Sequence, residues 1–224
     1  MPLMEQSLGR LAREIDGATR VFDAYNLDFC CGGAQSLRAA TEQAGVDAAP
    51  IVAELLQLSA QMNDNPQQRW EDASPDALIQ HILDRYHAVH REQLPELIRL
   101  ARKIEQVHGA RADCPHGLGD LLAAMAQELE SHMRKEEMVL FPMIQGGNGA
   151  MARMPIGVMR MEHDEHGVAL RQMLQLTNDL TLPQGACATW QALYRGLDTF
   201  RQDLMEHIHT ENNILFERFA PVAH

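Results

Sequence analysis

Four stretches of this chain repeat apolar residues in alternating steps of four and three, and each interrupts its own stripe with histidine or glutamate. One runs Leu118, Leu122, Met125, Leu129, His132, Glu136, Val139, Met143. Another runs Leu193, Leu197, Phe200, Leu204, His207, Glu211, Ile214. A third passes through Leu83, His87, His90, Leu94, Leu97, Ala101 and Ile104, and a fourth through Met159, His163, His166, Leu170 and Met173. This period marks the inner face of a bundled helix. An unpartnered polar group there costs a few kcal/mol, and a lone carboxylate costs more. Four inner faces carrying such groups predict one shared site, and a bound metal would compensate all of them together.

The stripes also repeat internally. Leu129-x-x-His132-x-x-x-Glu136-x-x-x-Leu140-Phe141 returns as Leu204-x-x-His207-x-x-x-Glu211-x-x-x-Leu215-Phe216, and His87-x-x-His90 returns as His163-x-x-His166. Two equivalent helix pairs predict two metal positions, each with one His from one helix and a His-x-x-x-Glu from another. Residues i and i+4 share a helix face, so both members of each His-x-x-x-Glu can address one cluster. Imidazole with carboxylate and no thiolate suits iron or manganese and leaves zinc open. The two Glu are placed to bridge. No HExxH occurs, which excludes a zincin, and Glu206-x-x-His209 sits off the stripe through His207.

The architecture expected is all-α: a small N-terminal helical domain over 1–65, then a four-helix bundle over 75–220. Bundle helices are predicted at 75–107, 117–143, 155–180 and 186–218, separated at Gly146-Gly147-Asn148-Gly149 and Leu182-Pro183-Gln184-Gly185. No stretch alternates with the period of a strand. The N-terminal helices are predicted at 8–25, 34–43 and 50–61. All 11 His lie from His81 onward, and a polar stretch from Gln61 to Gln68 marks the boundary. The formal charge of −12 argues against nucleic acid and anionic membranes as partners. No apolar run reaches membrane-span length and no leader is visible, so a cytoplasmic location is expected. The four cysteines include the adjacent pair Cys30 and Cys31, which closes too small a loop to serve as a staple.

Several residues flank the stripes. Glu128 lies one turn before His132, and Glu162 adjoins His163; both suit an outer shell or control of access to the metal. His90 and His166 fit the stripe yet suit hydrogen bonding to a ligand. His108, His116, His209 and His224 are expected at the surface. Asp28-Phe29-Cys30-Cys31-Gly32-Gly33 is read as a turn before a helix at Ala34, whose N-terminus would favour a thiolate at Cys31.

Taken in order, Asp28-Phe29-Cys30-Cys31-Gly32-Gly33, Arg85-Tyr86-His87 with His90-Arg91-Glu92, His132-Met133-Arg134-Lys135-Glu136-Glu137, Glu162-His163-Asp164-Glu165, and His207 with Glu211-Asn212-Asn213 resemble the iron–sulfur cluster repair di-iron proteins. The resemblance covers almost the whole chain. It implies an ScdA-like N-terminal domain and a hemerythrin-like bundle with two non-haem irons, oxo- and carboxylate-bridged. Carried over by motif, the ligands are His87, His132, Glu136, His163, His207 and Glu211. His166 is outside that pattern. The implied partners are damaged iron–sulfur proteins, with nitric oxide or oxygen species as small ligands; a homodimer is a further expectation.

Three functions compete: repair of clusters damaged by nitrosative or oxidative stress, conversion or carriage of nitric oxide, and a hemerythrin-type oxygen or metal binding module. A pure binding bundle has no need of the cysteine turn, which favours the first two. Cys30 and Cys31 are expected in redox or transfer chemistry.

Overall fold

The computed structural model describes residues 2–61, 70, 72–149 and 151–219. Most of the polar boundary stretch, and His224, lie outside the described residues. Within them the secondary structure is helical and contains no strand, with one isolated bridge between Ser7 and Ser36. The chain divides into two compact units, Met1–Leu78 with Met205–His224, and Ile79–Leu204.

In the first unit, α1 (Leu8–Glu14) begins at Ser7, whose hydroxyl accepts the Arg10 amide, 3.3 Å. The helix expected over 8–25 is broken: Ile15 is extended, and Gly17 takes φ 84 before α2 (Ala18–Ala24). That φ favours glycine and separates α1 from α2. Next, α3 (Leu37–Ala44) is capped by Ser36 and ends at Gly45, φ 68, and α4 (Ala48–Gln61) comes after it. Leu8, Leu11, Phe22, Leu37, Ile51 and Leu55 form the core.

In the second unit, α5 (Pro75–Ile82) contributes its last residues and runs through a π turn, Leu83–His87, into α6 (Ala88–His108). Helix α7 (Leu118–Lys135) runs through a second π turn, Glu136–Leu140, into α8 (Phe141–Gln145). Helix α9 spans Arg153–Leu176, and α10 spans Ala188–His209. Beyond α10, in the first unit, come a third π turn, Thr210–Leu215, and a final 3-10 turn, Phe216–Phe219.

The π turns correct the stripes. A π turn adds one residue to a helical turn and so rotates the residues downstream of it by one position. After Glu136 the inner positions are Leu140, Phe141 and Ile144, while Val139 is half exposed. Ahead of His87 the buried residues are Leu78, Ile79, Ile82 and Tyr86, with Leu83 less buried. Helix α9 contains no π turn, and its stripe of Met159, His163, His166, Leu170 and Met173 is buried throughout. It stops at Leu176, four residues short of expectation, because Asn178, Asp179 and Leu180 all take positive φ.

Candidate metal centre

In the second unit, the π turn of Leu83–His87 presents His87, α7 presents His132, its π turn presents Glu136, and α9 presents His163. Glu136, His87 and His163 have no exposed surface, and His132 has almost none. The Nε2 atoms of His132 and His163 face each other at 3.1 Å. Glu136 lies between two imidazoles: Oε1 is 3.3 Å from His132 Nε2, and Oε2 is 3.4 Å from His87 Nε2. Each carboxylate oxygen therefore addresses a different histidine.

The far side of each ring explains its orientation. His132 Nδ1 donates to Glu162 Oε2, and His87 Nδ1 donates to Glu137 Oε1, both at 2.9 Å. A carboxylate can only accept, so each Nδ1 carries a proton, and the bond fixes each ring with its Nε2 turned toward Glu136. Burial alone would raise Glu162, but Lys135 and His132 outweigh it and hold it below the ordinary carboxylate range. Arg91 and His87 do the same for Glu137. Glu162, adjacent to His163 in sequence, thus bonds the far nitrogen of His132 and the Lys135 ammonium. Glu128 is exposed on α7. Glu137 is not singled out by the sequence pattern; its adjacency to Glu136 is the available signal, masked wherever an unbroken α-helix is assumed.

In the first unit, the turn after α10 repeats half of this pattern. His207 Nε2 is 3.3 Å from Glu211 Oε1, and both side chains are buried. His87, Glu136 and Glu211 all lie in π turns, which recur at functional sites where a side chain must be re-aimed.

No Lys or Arg is found among the buried residues described, although Glu136 and Glu211 are fully buried. Two buried carboxylates among imidazoles therefore call for a bound cation or for proton uptake. The donor set contains nitrogen and oxygen but no thiolate, so it fits a borderline metal such as iron. His90 and His166 are buried as well. His90 is pushed down to about 4 by burial. Its Nδ1 contacts Gln93 Oε1 at 3.4 Å, Gln93 donates to Asp203 at 2.7 Å, and Arg85 also binds Asp203. His166 packs edge-on against the His132 ring, with centroids 5.1 Å apart.

The cysteine turn, in the first unit, differs from expectation in two ways. Helix α3 begins at Leu37, not at Ala34, so Cys31 lies too far upstream for a helix N-terminus to act on its thiol. The turn is instead organised by Asp28, whose Oδ1 accepts from the Cys31 amide at 2.9 Å and from Cys30 Sγ at 3.3 Å. The Cys31 contact and burial push the Cys30 thiol well up. The turn is also fastened to the C-terminal segment. Asn212 Nδ2 donates to the Cys30 carbonyl at 3.1 Å, and Asn213 Nδ2 to the Phe29 carbonyl at 3.0 Å. The backbone of Phe29 and Cys30, far from the His-rich region in sequence, is held by the two residues directly after Glu211. His209, expected at the surface, is buried edge-on against Phe29 and pushed down to about 4 by burial, with Arg13 adding to the effect.

Comparison with known proteins agrees with these observations. Residues 78–219 match the hemerythrin HHE cation-binding domain. Residues 4–59 match the ScdA N-terminal domain, described as a domain of unknown function. The chain is 50% identical over 218 residues to the probable iron–sulfur cluster repair protein of Haemophilus influenzae, covering 97% of this chain and 98% of that one. It is 50% identical over 218 residues to the iron–sulfur cluster repair protein YtfE of Pectobacterium atrosepticum, with the same coverage. With YtfE of Dickeya chrysanthemi the identity is 51% over 219 residues, covering 97% and 98%. No helix among the described residues is long and apolar enough to cross a membrane. Matched by a cation-binding domain over more than half its length and half identical to these relatives almost from end to end, the chain belongs to the iron–sulfur cluster repair family of the YtfE and ScdA type.

Proposed function

We propose that this chain repairs iron–sulfur clusters damaged by nitrosative or oxidative stress, by donating iron or supporting reassembly. Two irons are held by His87, His132, Glu136, His163, His207 and Glu211. The four histidines would bind the irons terminally, and Glu136 and Glu211, with an oxo group, would bridge them. The observation that carries this reading is Glu136, fully buried, with each oxygen on a different histidine whose outer nitrogen is fixed by a further carboxylate. Bound iron supplies a redox-active, ligand-exchangeable centre for nitric oxide or oxygen species. The chain's own residues orient the imidazoles, keep water from the carboxylates and set the ease of iron loss.

Glu162 and Glu128 tune access to the irons, Glu162 through its bond to His132. Cys30 and Cys31 act in redox or transfer chemistry toward a damaged iron–sulfur protein. The functional division is 1–65 for the cysteine-turn domain and 75–220 for the di-iron bundle, working in the cytoplasm, where a homodimer is a further proposed assembly.

The test is anaerobic incubation of the iron-loaded protein with a nitrosylated iron–sulfur protein, tracking cluster recovery and donor iron together. Repair predicts recovery matched by iron lost from this chain. Loss of nitric oxide without cluster recovery would instead support a nitric-oxide-converting protein. In the same assay Cys30→Ala with Cys31→Ala keeps the iron and the di-iron spectrum but slows recovery. Unchanged recovery would reduce the pair to packing.

A further inference from the structure

The two outer carboxylates of the second unit are held in unequal ways. Glu137, on the His87 side, is gripped by a fork: Arg91 Nη1 lies 2.8 Å from Oε1 and Nη2 lies 3.2 Å from Oε2. The same guanidinium donates through Nε to Glu130 Oε2 at 2.8 Å, and Arg134 ties Glu130 in turn at 2.7 Å. Four charged groups thus brace one imidazole. Glu162, on the His132 side, meets one Lys or Arg among the described residues, the Lys135 ammonium, through a single oxygen. A planar guanidinium fixes a carboxylate through two parallel bonds, whereas an ammonium on a four-carbon stem is a mobile point charge. Lys135 is also the more exposed cation, with 45% of its side chain accessible against 37% for Arg91.

We infer that Glu137, fixed by Arg91, is a positioning residue that makes the iron on His87 the retained one, while the looser Lys135–Glu162 pair makes the iron on His132 and His163 the one given up first. The inference rests on the two-iron reading above. An imidazole ligand stays on its metal only while its ring holds its orientation, and the carboxylate on its far nitrogen sets that orientation and raises ring basicity. When Lys135 releases Glu162, His132 gains freedom to turn and its iron dissociates. His87 has no equivalent route, because Glu137 stays bidentate on an arginine that is itself anchored to Glu130. A donor of this design keeps half of its centre in place while it gives up the other half.

The experiment tracks iron leaving the full-length, iron-loaded protein into excess ferrous chelator, with bound iron read from the di-iron absorption bands. Native protein releases its iron in two phases of equal amplitude. Glu137→Ala speeds the slow phase roughly ten-fold or more, the usual scale for losing such a carboxylate, and leaves the fast phase alone. Lys135→Arg, which offers Glu162 a fork, slows the fast phase toward the slow one. A merely structural role for these residues would not produce a variant that releases iron more slowly. Two irons leaving in one phase, or Glu137→Ala acting on the fast phase, or Lys135→Arg leaving it unchanged, would overturn the inference while leaving the two-iron reading intact. A native protein that loads a single iron would overturn that reading itself.

Discussion

Replacing Glu136 by leucine removes iron from the chain and leaves an apoprotein that melts at a higher temperature than the native apoprotein. The two effects have one cause. Glu136 is fully buried against His87 and His132, so it has no solvent to stabilise its charge. With a cation bound, that charge is compensated. Without one, the carboxylate must borrow a proton or polarise nearby imidazoles, and exchanging such buried ionic groups for packed apolar ones typically stabilises by about 1–4 kcal/mol. Leucine is a good helix former and fills the position with apolar volume. Iron content and paired melting curves with and without iron check this. A Glu136→Leu chain that keeps its iron, or an apo variant that melts well below native apoprotein, would show that Glu136 is an ordinary structural residue.

Replacing Gly33 by alanine uncouples the cysteine turn from the C-terminal segment. A Cβ there would fall 2.7 Å from Asn213 Oδ1 and 2.8 Å from the Phe29 carbonyl oxygen. The second atom is backbone and cannot rotate aside, so the turn itself must move. Asn213 Nδ2 then loses the Phe29 carbonyl, a part-buried bond, and Asn212 loses that of Cys30, a buried one whose loss costs roughly 1–3 kcal/mol. The expected result is faster alkylation of Cys30, now a buried thiol, by at least ten-fold, with the iron content retained. Unchanged alkylation would mean that the asparagine clamp does not control the turn.

Much of the bundle is legible in the sequence because burial imposes a strict period. The stripes of α7 and α9, and the polar residues within them, fall on buried faces up to the first π turn. Beyond the Glu136–Leu140 π turn a regular period misplaces the inner positions by one residue, since an added backbone residue leaves no mark in composition or hydropathy. The same shift hides Glu137 and gives Val139 a place that belongs to Leu140. The kink at Ile15–Gly17 is not legible because a helical pattern tolerates an isolated glycine, although the left-handed φ of Gly17 ends the helix. The setting of the cysteine turn is out of reach for another reason. It depends on side-chain bonds from Asn212 and Asn213 to the carbonyls of Cys30 and Phe29, across more than 180 residues of chain, and local pattern carries no information about them.

The central claim is that His87, His132, Glu136, His163, His207 and Glu211 together hold two irons. Metal analysis of protein loaded and purified without oxygen tests it most directly, with the spectrum of the oxidised form read on the same sample. The account predicts two irons per chain with the absorption of a bridged pair, falling below one in both His132→Leu and His207→Leu while the helical circular dichroism is unchanged. One iron per chain with no sign of coupling, or full iron content in either variant, would contradict it.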